Sequence, residues 1–238
     1  MGPYELLKAG LSDIFGECPD ETVESFRRLT EYMTEYNKKV NLTRITEPRD
    51  VVRLHYLDCA AIFTAVDITS GASVIDVGTG AGFPGLVMKI LRPDIRLCLL
   101  DSSNKRIDYL KSAADMLSLS GIDFVHGRAE ELSRESAYRD SFDFAVSRAV
   151  AALPVLCELC MPFVRVGGRF VSLKGSGAHD EAKSAGSAVR LLGGEGARVV
   201  PVTIPGGDES HHLVEIKKSR PTPARFPRKN AVIKKSPL

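Results

Sequence analysis

Apolar side chains recur at Val23, Phe26, Leu29, Met33, Tyr36 and Val40. That spacing gives a helix over 20–41 with one buried face, and Asp20 stands where an N-cap is wanted. A second helix is predicted from Thr46-Glu47-Pro48, with Pro in the first turn and Val51, Val52, Leu54, Leu57 and Ala61 on its apolar side. Residues 1–66 therefore read as a helical extension. From residue 73 the period changes. Apolar, β-branched runs at 73–78, 95–101, 123–127, 142–147 and 169–174 alternate with helical stretches at 83–92, 104–120, 152–165 and 178–193. Gly121 stops the second of those helices and Gly167-Gly168 the third. Strands near 197–204 and 211–218 close the series. Only the short Pro205-Gly206-Gly207 connection joins them, which predicts an antiparallel hairpin. The alternation predicts an α/β fold: a Rossmann-like, doubly wound, mostly parallel seven-stranded sheet with right-handed crossovers. The implied division is a helical extension over 1–66, a sheet domain over 67–219, and a segment 220–238 packed back on it.

Ligands of such sheets sit beyond the carboxyl ends of the strands. Those ends are Gly78, Asp101, Gly127-Arg128, Ser147-Arg148 and Lys174-Gly175. The first is the most informative. Ser73-Val74-Ile75-Asp76-Val77 runs into Gly78-Thr79-Gly80-Ala81-Gly82-Phe83-Pro84-Gly85 and then directly into a helical pattern. A strand, a backbone-only turn and a helix start form a nucleotide cradle, and a ligand can press on the chain only where no Cβ intervenes. Asp101 ends the next strand 21 residues after Gly80, at the distance expected of a ribose-binding carboxylate. Phe83 occupies the place of the third glycine in the dinucleotide fingerprint, which argues against a nicotinamide cofactor. The G-x-G-x-G run suits S-adenosylmethionine, which carries no pyrophosphate. Asp76 and Asp101 suit its amino group, cationic sulfur and ribose hydroxyls.

Composition adds two points. Five cysteines without framework spacing fit free thiols in a reducing compartment, and Cys157-Glu158-Leu159-Cys160 reads as core filling inside a helix rather than a redox or metal motif. No metal site is expected. No apolar stretch approaches the ~20 residues of a membrane span, and the first residues lack a signal pattern, so a cytoplasmic protein is expected. The charge is uneven. Eight of the 32 basic residues, and none of the 30 acidic ones, lie between Ile216 and Leu238. A basic end on an acidic body suits a phosphate-bearing partner.

The remaining strand ends carry Arg128, Arg148 and Lys174, three cations that suit an anionic substrate, beside the acidic Glu130. His55 and His126 are further pocket candidates, each as readily a satisfied structural group. The chain lacks an Asn/Asp-Pro-Pro-Tyr motif, a Pro-Cys nucleophile, a Gly-x-Ser-x-Gly elbow and a Walker sequence. A methyl acceptor would therefore need neither a cysteine nucleophile nor a strong base. Guanine N7 meets that condition, and transfer then reduces to placing the nitrogen in line with the sulfonium methyl.

Taken together, several segments resemble one family. They are Val74–Gly85, Leu99-Leu100-Asp101-Ser102-Ser103-Asn104-Lys105-Arg106, His126-Gly127-Arg128-Ala129-Glu130-Glu131 and Ser147-Arg148-Ala149-Val150-Ala151. With Asn41-Leu42-Thr43, His55-Tyr56-Leu57-Asp58, Leu173-Lys174-Gly175 and Phe226-Pro227-Arg228-Lys229, they occur in the order found in the bacterial 16S ribosomal RNA guanine-N7 methyltransferases, once called glucose-inhibited division protein B. The resemblance spans roughly 36–238 and implies a class I S-adenosylmethionine-dependent fold. It also implies methylation of one guanine in the 530 loop of 16S RNA, with S-adenosylhomocysteine as product, on the RNA or the small subunit; a monomer is adequate for that task. Carried over by motif, the donor site would comprise Asp76, Gly78, Thr79, Gly80, Ala81, Gly82, Phe83, Asp101, Ser102, Arg128, Ala129, Glu130 and Arg148. Asp101 would take the ribose hydroxyls, Ala129-Glu130 would flank the adenine, and Arg148 would face the acceptor as the catalytic residue. Lys105, Arg106, Lys174, Arg225, Arg228 and Lys229 would touch the RNA backbone. Asn230-Ala231 follow Lys229 where the family usually has a glycine.

Overall fold

A computed structural model describes residues 1–205 and 211–238. The helical extension comprises α1 (Pro3–Phe15), α2 (Asp20–Asn37) and a third helical run. That run consists of α3 (Pro48–Val51), a π-helical turn over Val52–Leu57, α4 (Asp58–Ala60) and α5 (Ile62–Ala65). The alternating region then gives β1 (Ser73–Val77), α6 (Gly85–Leu91), β2 (Arg96–Asp101), α7 (Asn104–Met116), β3 (Ile122–His126), α8 (Ala129–Leu132) and β4 (Phe142–Arg148). It continues with α9 (Leu153–Cys160), β5 (Val164–Lys174), α10 (Ala178–Ser184), α11 (Gly186–Leu191), β6 (Gly194–Val202), β7 (His211–Lys218) and α12 (Asn230–Lys235).

The strands form one seven-stranded sheet in the order β3-β2-β1-β4-β5-β7-β6. Strands β1 to β5 are parallel, and β7 runs antiparallel to both β5 and β6. The expected hairpin is therefore present, although Gly206 and Gly207 of its connection lie outside the described residues. Alternate residues of each central strand face opposite ways, and both faces are covered. Val74, Leu97, Leu99 and Val146 pack with α6, α7 and the helical extension on one side. Ile75, Val77, Cys98, Leu100 and Ala145 pack with α9, α11 and the C-terminal segment on the other. The five cysteines are buried and free, and burial pushes the Cys157 and Cys160 thiols upward, as core filling requires.

Several boundaries depart from the sequence pattern. Helix α1, absent from the pattern reading, buries Leu6, Leu7 and Leu11, and its Gly10 leaves no room for a Cβ, which would meet Leu57 Cδ2 at 2.7 Å. In α2, Pro19 rather than Asp20 is the N-cap, and the helix ends at Asn37. Helix α7 ends at Met116 because Ser118 turns to φ +55°. Gly167-Gly168 does not stop a helix: α9 ends at Cys160, before Pro162, and the glycines lie inside the longer β5. There the pairing with β4 shifts register, and a Cβ on Gly168 would meet the Asp143 carbonyl at 2.5 Å. Among the described residues no helix is long and apolar enough to cross a membrane.

Candidate active site

The carboxyl ends of the parallel strands open onto a cleft of about 430 Å³. Gly78, Thr79, Gly80, Ala81 and Phe83 of the loop after β1 floor it, with Asp101, Ser102 and Arg106 on one side and Arg148 on the other. The cleft continues into a side cavity of about 200 Å³. The two share Gly78, Asp101 and Ser102, and the side cavity adds Gly127, Arg128, Ala129 and Glu130. Eleven of the thirteen predicted donor-site residues thus meet in one continuous groove.

Asp76 and Gly82 do not line it. Asp76 is fully buried beneath the loop, where its Oδ2 accepts the Gly85 amide at 2.8 Å and so ties the start of α6 to β1. Gly82 is a packing glycine: at φ +93° its Cβ would meet Leu86 Cδ1 at 2.5 Å. Gly80 is the position where the missing side chain leaves space. It sits at φ +61°, and nothing but the Gly78 carbonyl, at 4.0 Å, approaches the place of its Cβ. Its amide donates to Asp101 Oδ2 at 2.9 Å, while Asp101 Oδ1 accepts from the Ser103 amide at 2.8 Å. Asp101 is thereby fixed with its remaining lone pairs available to hydroxyl donors. An open glycine beside a fixed carboxylate fits a ribose-bearing ligand.

Burial raises the Asp76 carboxyl to about 6, against the hydrogen bond from the Gly85 amide, which favours the ionised form. The folded state then carries a buried charge above pH 6, and binds an extra proton between the unfolded value and 6. Asp76→Asn keeps an oxygen for the Gly85 amide and removes the charge. It is expected to raise stability at pH 7 by at most about 3 kcal/mol, from the size of the shift. The gain should shrink toward zero as pH falls from 6 to 4. Urea unfolding at pH 7 and pH 4 checks both; an equal gain at the two pH values would overturn the assignment.

The far wall is built by the π-helical turn. Arg148 Nη1 donates to the Leu54 carbonyl at 2.6 Å and to Asp58 Oδ2 at 3.3 Å, and Nη2 donates to His55 Nδ1 at 2.9 Å. His55 Nε2 lies 3.0 Å from Thr43 Oγ1. With Nδ1 accepting, the ring proton belongs on Nε2, pointed at Thr43. Burial, reinforced by the Arg148 charge, lowers His55 to about 3, so the imidazole is neutral at pH 7. Phe83 stacks on the His55 ring at 4.5 Å between centroids, with the Arg148 guanidinium 5.2 Å from the Phe83 centroid. Arg148 therefore pairs with Asp58, not with Asp76 or Glu130. His126 is exposed and only meets the Ser102 carbonyl, at 3.1 Å. The sequence reading had no lining role for Leu42, Thr43, Ala149 or Val150. Among them, Ala149 at φ +55° marks a turn that swings the chain off β4 beside the cleft.

The predicted RNA contacts divide. Lys105, Arg225 and Lys229 are exposed, and Arg106 is half-exposed at the cleft edge. Lys174 and Arg228 are corrections. Lys174 is half-buried, its side chain turned to donate to the Ala151 carbonyl and to Glu181 Oε2, each at 2.8 Å. Arg228 turns inward onto the fully buried Glu158, Nη2 to Oε2 at 2.7 Å, and pins the C-terminal segment to α9. A buried carboxylate demands such a partner. Among the described residues no group of His, Cys, Asp and Glu side chains is arranged to hold a metal ion.

A family model described as rRNA small subunit methyltransferase G matches residues 22–213. The chain belongs to that family. It is 42% identical to the ribosomal RNA small subunit methyltransferase G of Clostridium botulinum (strain Loch Maree / Type A3), over 99% of this chain and 98% of that one. It is 44% identical to the protein of the same name from Moorella thermoacetica, over 98% and 97% respectively. The fold is that of class I S-adenosylmethionine-dependent methyltransferases. A solved structure titled a SAM dependent methyltransferase from Aquifex aeolicus superposes with a TM-score of 0.53 at 14% identity, covering 77% of this chain and 97% of that one. This family member is accordingly an enzyme that methylates ribosomal RNA.

Proposed function

We propose that the enzyme transfers the methyl group of S-adenosylmethionine to N7 of a single guanine in the 530 loop of 16S ribosomal RNA, releasing S-adenosylhomocysteine. It acts as a monomer, in the cytoplasm, on the RNA of the small subunit. The observation that carries the reading is the groove itself: an open glycine, the fixed Asp101 carboxylate and the Ala129-Glu130 annex border two cavities that share Gly78, Asp101, Ser102 and Val150. When bound there, the donor supplies an electrophilic methyl on a sulfonium. In this reading the loop around Gly80 holds its amino-acid end, Asp101 its ribose hydroxyls, and the annex its adenine.

The acceptor side follows from a second cavity of about 350 Å³ across Arg148 and Ala149 from the donor groove. Asp58, Leu173, Lys174, Gly175, Glu181 and His211 complete its lining. No cysteine lines either space, and His55, the imidazole at the border, is neutral and committed to Arg148 and Thr43. Such a site suits an acceptor whose lone pair is free at neutral pH, as guanine N7 is. Arg148 and its partners then position the base rather than deprotonate it. Asp58 balances the Arg148 charge, so positive charge can pass from sulfur to the base without meeting an unpaired guanidinium.

The deciding experiment is transfer of labelled methyl to small subunits and to their naked RNA, followed by mapping of the modified nucleotide. One guanine-N7 in the 530 loop is expected. Label on another nucleotide, or only on members of a metabolite panel, would overturn the reading and favour a methyltransferase of different substrate. The exposed cations give a second check. Replacing Lys105, Arg225 and Lys229 together by Ala is expected to reduce the slope of log affinity against log salt by about 2–3. An unchanged slope would remove these residues from the RNA surface.

A further inference from the structure

Helix α12 lies beyond the residues that the family model matches, yet it forms part of the groove. Asn230 and Lys234 sit one helical turn apart, on the same face. Both line the side cavity, together with Gly127, Ala129 and Glu130 and the apolar Val155 and Leu159 of α9. The helix is held there firmly. Ile233 is 1% exposed in the core beneath it, and Arg228, just before it, donates to Glu158 on one side and to the Ser236 carbonyl at 3.0 Å on the other. Phe226 is buried, and its carbonyl accepts from Arg139 at 3.1 Å. Asn230 has no hydrogen-bond partner of its own side chain among the described residues.

Besides Asp101 and Ser102, which it shares with the main cleft, and the Arg128 guanidinium, the cavity therefore presents apolar walls, the Glu130 carboxylate and the Asn230 primary amide. That combination matches a purine carrying an exocyclic amine. A carboxylate can only accept, whereas an amide offers a donor and an acceptor to neighbouring amine and ring-nitrogen positions. We propose that α12 is the outer wall of the donor site, with Asn230 reading the amine-bearing edge of the adenine and the Lys234 stem covering the ring. The Lys234 ammonium stays at the rim in water while its methylenes shield the base. The basic C-terminal segment thus serves the methyl donor as well as the RNA. This rests on the groove being the donor site, so the test must separate the two.

The test is calorimetric binding of S-adenosylhomocysteine to the full-length parent, Asn230→Ala, Lys234→Ala and the double variant, with circular dichroism to verify the fold. Adenosine and purine riboside, which lacks the exocyclic amine, are titrated alongside. The parent is expected to bind S-adenosylhomocysteine and to prefer adenosine. Asn230→Ala should weaken S-adenosylhomocysteine about tenfold and narrow the adenosine preference. Lys234→Ala should weaken both nucleosides alike by a few-fold. Parental affinity in both single variants would overturn the proposal, and so would weakening by Asn230→Ala that leaves the adenosine preference unchanged. If the parent itself fails to bind, the reading of the groove as a donor site fails instead.

Discussion

Arg148→Ala is expected to lower methyl transfer by about 10²–10³-fold while affinity for S-adenosylhomocysteine changes by less than about threefold. The guanidinium is the partition between the donor groove and the second cavity. It is held by the Leu54 carbonyl, His55 Nδ1 and Asp58, and each loses its donor when the side chain is truncated. The loss should appear in the methyl-transfer step, because the loop, Asp101 and the annex are left in place. Arg148→Lys should rescue little, since one ammonium cannot serve three acceptors arranged for a planar fork. Single-turnover transfer of labelled methyl, with calorimetry on the same samples, separates the two effects. Parental turnover in Arg148→Ala would remove this residue from the acceptor side.

Gly80→Asp is expected to weaken S-adenosylhomocysteine by at least about 100-fold and to leave the fold intact. The position is open, so the new side chain enters the groove rather than the core. It brings a second carboxylate to a backbone amide that Asp101 already engages at 2.9 Å. Two negative charges a few ångström apart repel each other, even with Arg106 3.5 Å from Asp101. Asp tolerates positive φ better than most residues, so the backbone penalty is small. Gly82→Asp provides the contrast. There the side chain would collide with Leu86 and Leu110, so that variant should lose stability before it loses ligand. Retained binding in a folded Gly80→Asp protein would move the donor elsewhere.

The sheet, its antiparallel closing pair, the glycine loop and Asp101 were all legible in the sequence. Each depends on local order: a run of β-branched residues, a turn, a fixed distance along the chain. What local order does not carry is the direction in which a side chain leaves a loop. Asp76 and Gly82 stand in the same run as Gly78 and Gly80, but the strand alternation sends Asp76 under the loop and the tight turn sends Gly82 toward Leu86. Charge pairing is equally invisible. Arg228 reads as one more cation of a basic tail until Glu158, 70 residues earlier in the chain, is found buried beneath it. Lys174 is likewise claimed by Glu181 and a main-chain carbonyl. The π-helical turn had no signature beyond an ordinary amphipathic pattern. It nonetheless supplies Leu54 and His55, which orient Arg148 together with Asp58 at the start of α4.

The groove is assembled from widely separated stretches of chain, from Leu42 to Lys234. The side cavity closes only once α12 is seated against α9. A molecule cut between β7 and α12 would keep its sheet and lose that wall.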